Sequence, residues 1–194
     1  MDSEFALIDW RHLFALTMKG VEEKRVFDVP EALFYTPGKD NPLRTRMFNQ
    51  PLETPVGISA GPHSQMAQNI VSAWLCGARY IELKTVQTDD ELDIPRPCID
   101  MPYEGYNCEF SQELKVAQSY HEYLNAWILI HILKDKFGWN EDAGTIFNLS
   151  VGYDLQGIQK DNMQWFFDKI RDCSKEKAEK LNAIADVYPR AQEL

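Results

Sequence analysis

Three short stretches of this chain alternate apolar and polar positions with the period of a β-strand, and each is followed by a segment with helical spacing. In Thr54-Pro-Val-Gly-Ile-Ser-Ala-Gly-Pro-His63, the residues Val56, Ile58 and Ala60 fall on one side and Gly57, Ser59 and Gly61 on the other. In Tyr80-Ile-Glu-Leu-Lys-Thr-Val86, Ile81, Leu83 and Thr85 oppose Tyr80, Glu82 and Lys84. In Thr145-Ile-Phe-Asn-Leu-Ser-Val151, Phe147 and Leu149 oppose Asn148 and Ser150, with Gly152 at the carboxyl end. A parallel strand covered on both sides is apolar on both faces, so a face carrying Ser59, Glu82, Lys84 and Asn148 must open onto something polar. That face reads as the floor of a site.

The segments between the strands predict crossover helices. One starts at His63 or Ser64, carries the stripe Met66, Ile70, Ala73 and Trp74, and stops at Gly77, a residue suited to the left-handed position after a helix. The second runs from an N-cap at about Ser111 to Phe137-Gly138, with Leu114, Ala117, Leu124, Ile128 and His131 on one face. Two more helices are expected over Met163–Cys173 and Glu176–Val187. Ahead of the first strand, Leu7, Trp10, Phe14, Leu16 and Val21 predict an N-terminal helix that Pro30 ends, and the turn-rich residues 35–44 lead to a small hairpin near Met47-Phe48 that could plug one end of a barrel. Residues 87–106 read as a long loop after the second strand, of the kind that serves as a lid.

Strand-to-helix units in series, all with the same polar face, suit a parallel (β/α)₈ TIM barrel with a site at the strands' carboxyl ends. Such a barrel has eight strands and about 250 residues, whereas this sequence of 194 residues supplies about three units. The expected architecture is therefore α/β: an N-terminal helix and connector over residues 1–45, then a truncated barrel over 46–194. Its open edge would need the remaining strands or a partner chain to cover it.

Composition narrows the partners. A content of 44% apolar and 12% aromatic residues suits a globular core. The formal net charge of −10, with no Lys/Arg cluster to interrupt it, opposes nucleic acid and anionic membrane and still allows small anions at a local positive spot; a small-molecule substrate is expected. The longest apolar run, Ala126–Leu133, contains His131 and is too short to span a bilayer, so a cytoplasmic protein is expected. Cys76, Cys98, Cys108 and Cys173 show no CxxC spacing and no nearby histidine pair, which gives no metal site. His121 and His131 read as packed or exposed helix residues, and Cys108 has no identified base.

Lys84 stands where a barrel places reactive groups, and a lysine there can donate to a carbonyl or an anionic ring nitrogen. The alternative is a structural pair with Glu82, two residues earlier on the same face. Taken in order, Pro55-Val-Gly-Ile-Ser-Ala-Gly-Pro62, Glu82-Leu-Lys-Thr-Val86 and Tyr106-Asn-Cys-Glu109 resemble the opening of the dihydroorotate and dihydropyrimidine dehydrogenase barrels. Gly61-Pro-His-Ser-Gln-Met-Ala-Gln-Asn-Ile70, Glu82-Leu-Lys-Thr-Val-Gln87 and Asn148-Leu-Ser-Val-Gly-Tyr153 further resemble the N-terminal region of the "putative selenate reductase" subunits, which are glutamate-synthase-like flavoproteins. The resemblance covers nearly the whole chain.

It implies the N-terminal segment of an FMN-type oxidoreductase, with Ser59, Ala60, Gly61, Lys84, Thr85 and Asn107 at the flavin and Asn107 and Asn148 toward the substrate. Small residues let the isoalloxazine approach the backbone, a lysine near its N1 edge stabilises the reduced ring, and an asparagine amide both donates and accepts. An iron–sulfur cluster and FAD or NAD(P) would belong to other parts of a full-length protein. No catalytic acid or base is identified, and the segment alone is expected to be inactive. The competing reading is a non-catalytic barrel segment that docks within a multi-domain electron-transfer protein.

Overall fold

The computed structural model describes residues 7–36, 38, 40–59, 61, 65–83, 114–139, 144–151 and 154–194. Helix α1 (Trp10–Glu22) starts where the Asp9 carboxylate accepts the amides of Arg11 and His12. It buries Trp10, Leu13, Phe14, Thr17 and Gly20. The buried stripe is rotated from the one expected: Leu16 faces solvent, and Leu13 and Thr17 take the inward positions. Thr17 can do so because its hydroxyl donates to the Leu13 carbonyl one turn back.

Two hairpins follow. Strands β1 (Arg25–Val26) and β2 (Val29–Pro30) pair antiparallel, as do β3 (Thr45–Met47) and β4 (Gln50–Leu52). Both turns hold two residues in the left-handed region, Phe27-Asp28 and Phe48-Asn49, the geometry that matches the twist of two-residue hairpins. The first hairpin was not expected. The second is the hairpin anticipated near Met47-Phe48: Phe48 lies against the Tyr80 ring with 6.5 Å between centroids, and the Glu53 amide donates to the Gly144 carbonyl just before the third parallel strand.

The barrel wall consists of β5 (Gly57–Ile58), β6 (Tyr80–Leu83) and β7 (Ile146–Leu149), parallel and in that order. Helix α2 (Ala67–Leu75) joins β5 to β6, and Gly77 ends it at φ +106°, a conformation that side chains resist. Helix α3 (Val116–Phe137) precedes β7 and ends on Gly138 in the left-handed conformation. The expected N-cap at Ser111 lies outside the described residues; the first described cap contact is the Lys115 amide donating to the Gln118 side chain. Helix α3 is buried on more than one face, because α1, α2 and α5 all pack on it. Ala117, expected on the core face, is instead exposed.

After β7 come a short α4 (Leu155–Ile158), then α5 (Asp161–Arg171) and α6 (Ser174–Ile184). The latter two fit the expected helices with ends shifted by a few residues. Helix α6 returns to the start of the chain, where the Trp10 indole donates to the Lys180 carbonyl at 2.9 Å and the Arg11 guanidinium meets Asp186 at 2.8 Å. The described residues thus form an N-terminal helix, short hairpins and three parallel strand-to-helix units of an unclosed TIM barrel.

Candidate functional site

The register of β5, β6 and β7 settles which side chains share a face. Gly57 pairs with Tyr80, Tyr80 with Ile146, and Glu82 with Asn148; on the other side Ile58, Ile81 and Phe147 form one row and Leu83 and Leu149 the next. Ile81 and Leu83 are buried under the helices. The row Glu82–Asn148, with Ser150 beyond it, therefore occupies the inner face at the carboxyl ends, as the alternation predicted. There the Ser150 hydroxyl donates to Glu82 Oε1 at 2.7 Å, a cross-strand tie that orients the carboxylate.

Small residues belong on this face for a steric reason. A Cβ at Gly57 would sit 2.4 Å from the Tyr80 carbonyl oxygen, so β5 approaches β6 this closely only with glycine at that position. At the end of β5, Ser59 is exposed and Gly61 is buried, and both make interactions with neighbouring groups. Of the other expected site residues, Ala60, Lys84, Thr85 and Asn107 lie outside the described residues, as does the loop 87–106. Of the expected site residues, Asn148 therefore lies on the inner face of the described wall beside Glu82 and Ser150, and Ser59 and Gly61 follow the end of β5.

Below this floor lies an ion pair that sequence reading missed. Arg79 Nε donates to Glu53 Oε2 at 2.7 Å, and both side chains are 0% exposed. The guanidinium also donates to the Trp74 carbonyl at 2.6 Å and stands over the Trp74 and Tyr35 rings at 4.9 and 5.3 Å. Burial lowers the Arg79 pKa while the Glu53 carboxylate works to raise it. An arginine stacked against two rings and hydrogen-bonded through Nε to a buried carboxylate is a structural rivet, holding the end of β4 to the start of β6. Its one signal in the sequence was an arginine directly before an apolar strand.

A second buried polar group anchors the start of α2. The Glu122 carboxylate on α3 accepts the Ala67 amide at 2.8 Å and the Asn125 side-chain amide at 3.3 Å, and Gln65 donates to the Ser119 hydroxyl at 3.0 Å. A carboxylate at a helix N-terminus satisfies an otherwise unpaired amide and complements the helix dipole. Burial nonetheless pushes the Glu122 pKa up. His131 packs edge-on against Trp127 at 4.8 Å, and burial lowers its pKa to about 4, so it is a neutral packed residue. His121 is exposed and lies beside the Tyr120 ring at 5.1 Å.

A cavity of about 460 Å³ opens along the outer edge of β7. Its walls come from Tyr120, Tyr123, Leu124 and Trp127 of α3, from Lys169, Ile170 and Cys173 at the end of α5, and from Phe48 and Gln50 of the hairpin. Residues 145–149 line it from the strand and Leu83 from the end of β6, so it takes in both faces of β7 and reaches the carboxyl end of β6. Among the described residues no cluster of His, Cys, Asp and Glu could hold a metal ion, and no helix is long and apolar enough to cross a membrane.

Comparison with known proteins agrees with this architecture. Residues 27–190 match the family model "Oxidoreductase YgfK, N-terminal TIM-barrel domain". The chain is 44% identical over 154 residues to the "Putative oxidoreductase YgfK" of Escherichia coli strain K12, and equally to that of Escherichia coli O157:H7. The match covers 79% of this chain and 15% of each relative, so the chain spans a small part of the length of the proteins it matches. No solved structure matches it significantly. With the match covering most of the chain, and the parallel strands and crossover helices both present, this chain belongs to the family of oxidoreductase YgfK N-terminal TIM-barrel domains.

Proposed function

We propose that this chain supplies the first part of an FMN-type flavin site in an oxidoreductase of the selenate-reductase-like and dihydropyrimidine-dehydrogenase-like kind. The observation that carries the reading is the inner face of β5, β6 and β7. It is small-residue at the end of β5 and polar across Glu82, Asn148 and Ser150 at the carboxyl ends, where barrels of this class hold their ligands. The ordered motifs around Gly61, Lys84 and Asn107 support the cofactor class.

In this reading the backbone from Ser59 to Gly61 gives the flat ring close approach, which the absence of large side chains permits. Lys84, Thr85 and Asn107 would contact its polar edge, and Asn148 would face the substrate. The flavin, when bound, would supply two-electron acceptance and donation. The chain's own work is to orient the ring and to hold a positive charge near it. Glu82, tied by Ser150, lies two residues before Lys84 in the sequence, so strand alternation would put the two on one face.

The test is Lys84→Ala in the full-length polypeptide. Bound flavin is measured by absorbance beside a denaturant midpoint. The expected result is a large loss of flavin with the midpoint retained. Unchanged flavin content with a lowered midpoint would make Lys84 structural, and full-length protein that never carries flavin would leave the docking-segment reading in its place.

A further inference from the structure

Helix α2 draws its cap from another helix. Its own N-cap is Met66, whose side chain bonds to no amide, in the place where Ser, Thr, Asp or Asn would satisfy one locally. The task falls to α3. Ser119, Glu122 and Asn125 recur every three residues along one side of that helix and are 0%, 2% and 4% exposed. Glu122 accepts the Ala67 amide at 2.8 Å, and the Ser119 hydroxyl accepts the side-chain amide of the buried Gln65 at 3.0 Å. Asn125 donates to Glu122, while its own Oδ1 finds no partner among the described residues. Such a row is a costly way to cap a helix. It buries a carboxylate and leaves an amide oxygen unsatisfied, and a local cap would avoid both.

The place of the row shows what else it does. Gln65 and Ala67 stand at the far end of the connection that leaves β5 through Ser59 and Gly61. Ser119 and Glu122 stand in the first two turns of α3, the crossover helix that precedes β7. Both helices start at the carboxyl ends of the parallel strands, the side on which a barrel holds its ligand. Buried bonds between them fix where the β5–α2 connection stands relative to α3, which a cap within either helix could not do.

We propose that Glu122 is a positioning residue: by holding the start of α2 against α3, it sets where the β5–α2 connection stands and so the fit of the ligand against Ser59 and Gly61. Naming that ligand as an FMN-type flavin rests on the reading above; the tie itself rests on the bonds just described. Glu122 acts through the Ala67 amide, and Ser119 reinforces it through Gln65. Control from this distance is physically sufficient, because a misplacement of about 1 Å caused far from the reacting groups can cost roughly a hundredfold in rate.

The test separates fastening from capping, in the full-length polypeptide with FMN. Glu122→Ala removes the tie, and Met66→Ser added to it gives α2 a local cap. The double variant should regain the parent's denaturant midpoint yet bind FMN at least about tenfold more weakly. Glu122→Gln keeps an acceptor for the Ala67 amide and should keep both midpoint and affinity. Flavin affinity that returns with the midpoint in the double variant would overturn the proposal, as would a folded Glu122→Gln that loses as much affinity as Glu122→Ala. Should the double variant misfold, Gln65→Met decides: it cuts the Ser119 bond alone and should weaken FMN binding, and unchanged affinity would overturn the positioning role. A parent protein that never binds FMN would refute the flavin reading by itself. Amide exchange over residues 57–61 of the same variants then carries the test, since it should rise in the capped double variant if Glu122 positions the connection and match the parent's if Glu122 only caps.

Discussion

At the scale of single residues, the Arg79–Glu53 pair shows how a cost can be turned to use. Taking both charges out of water costs several kcal/mol per ion, about 20 in the idealised limit, and mutual attraction recovers this only with good geometry and further hydrogen bonds. Arg79 finds them in the Trp74 and Ala78 carbonyls. Removing one partner strands the other charge, so Glu53→Ala should destabilise the fold by about 3–5 kcal/mol, read as a lowered urea midpoint. Arg79→Lys should lower the midpoint as well, because a lysine cannot reach Glu53 and the Trp74 and Ala78 carbonyls at once or stack flat against Tyr35 and Trp74. Gly57→Ala tests a different cause. The new Cβ would lie 2.4 Å from a carbonyl that the ladder holds in place. A loss of about 1–3 kcal/mol is expected from that crowding, and a variant as stable as the parent would show that β5 can move away. The need for small residues on this strand was legible in the run from Gly57 to Gly61. The buried ion pair was not, because its members are 26 residues apart and neither sits in a motif.

At the scale of elements, helices and parallel strands were readable because their periods are imposed by burial on a defined face. Ends and turns were less so. The left-handed turns at Phe27-Asp28 and Phe48-Asn49 lack the glycine that usually announces them, and the first hairpin escaped notice for that reason. The start of α2 is held by a residue from another helix, which no local signal contains. Glu122→Ala should unfasten that end and cost about 1–3 kcal/mol for the Ala67 amide and Asn125 side chain left buried; amide exchange at the start of α2 should rise ahead of global unfolding. His131 supplies the pH dependence of α3. Its pKa is lowered to about 4 in the folded chain against 6.5 ordinarily. The unfolded state therefore binds more protons between those values, and His131 makes stability fall as pH drops from about 6.5 toward 4. The raised Glu122 carboxyl contributes with the opposite sign, so the measurement is a difference: His131→Phe should flatten the acid limb of the midpoint-against-pH curve, and an unchanged limb would rule this histidine out.

At the scale of the whole molecule, the three parallel strands among the described residues, of the eight a barrel needs, make a wall but not a vessel. The chain should therefore bind FMN weakly at best when purified alone, since the loops after strands seven and eight that usually hold the phosphate belong to the rest of such a barrel. Flavin fluorescence quenching on titration checks this, and tight binding by a monodisperse monomer would mean a self-sufficient flavin domain. The parallel wall and its polar inner face were foreseen from alternation alone; the groove along β7 was not, because it is made jointly by α3, α5 and the hairpin. The clasp between the first and last helices has a consequence in time. Trp10 bonds to a residue 170 positions later, and Arg11 to one 175 positions later. At ribosomal speeds of about 5–20 residues per second, α1 emerges roughly 10–30 s before its partner is made. During that interval Trp10 and neighbouring apolar side chains lack their final cover, which makes this helix a natural landing place for chaperones acting on the nascent chain.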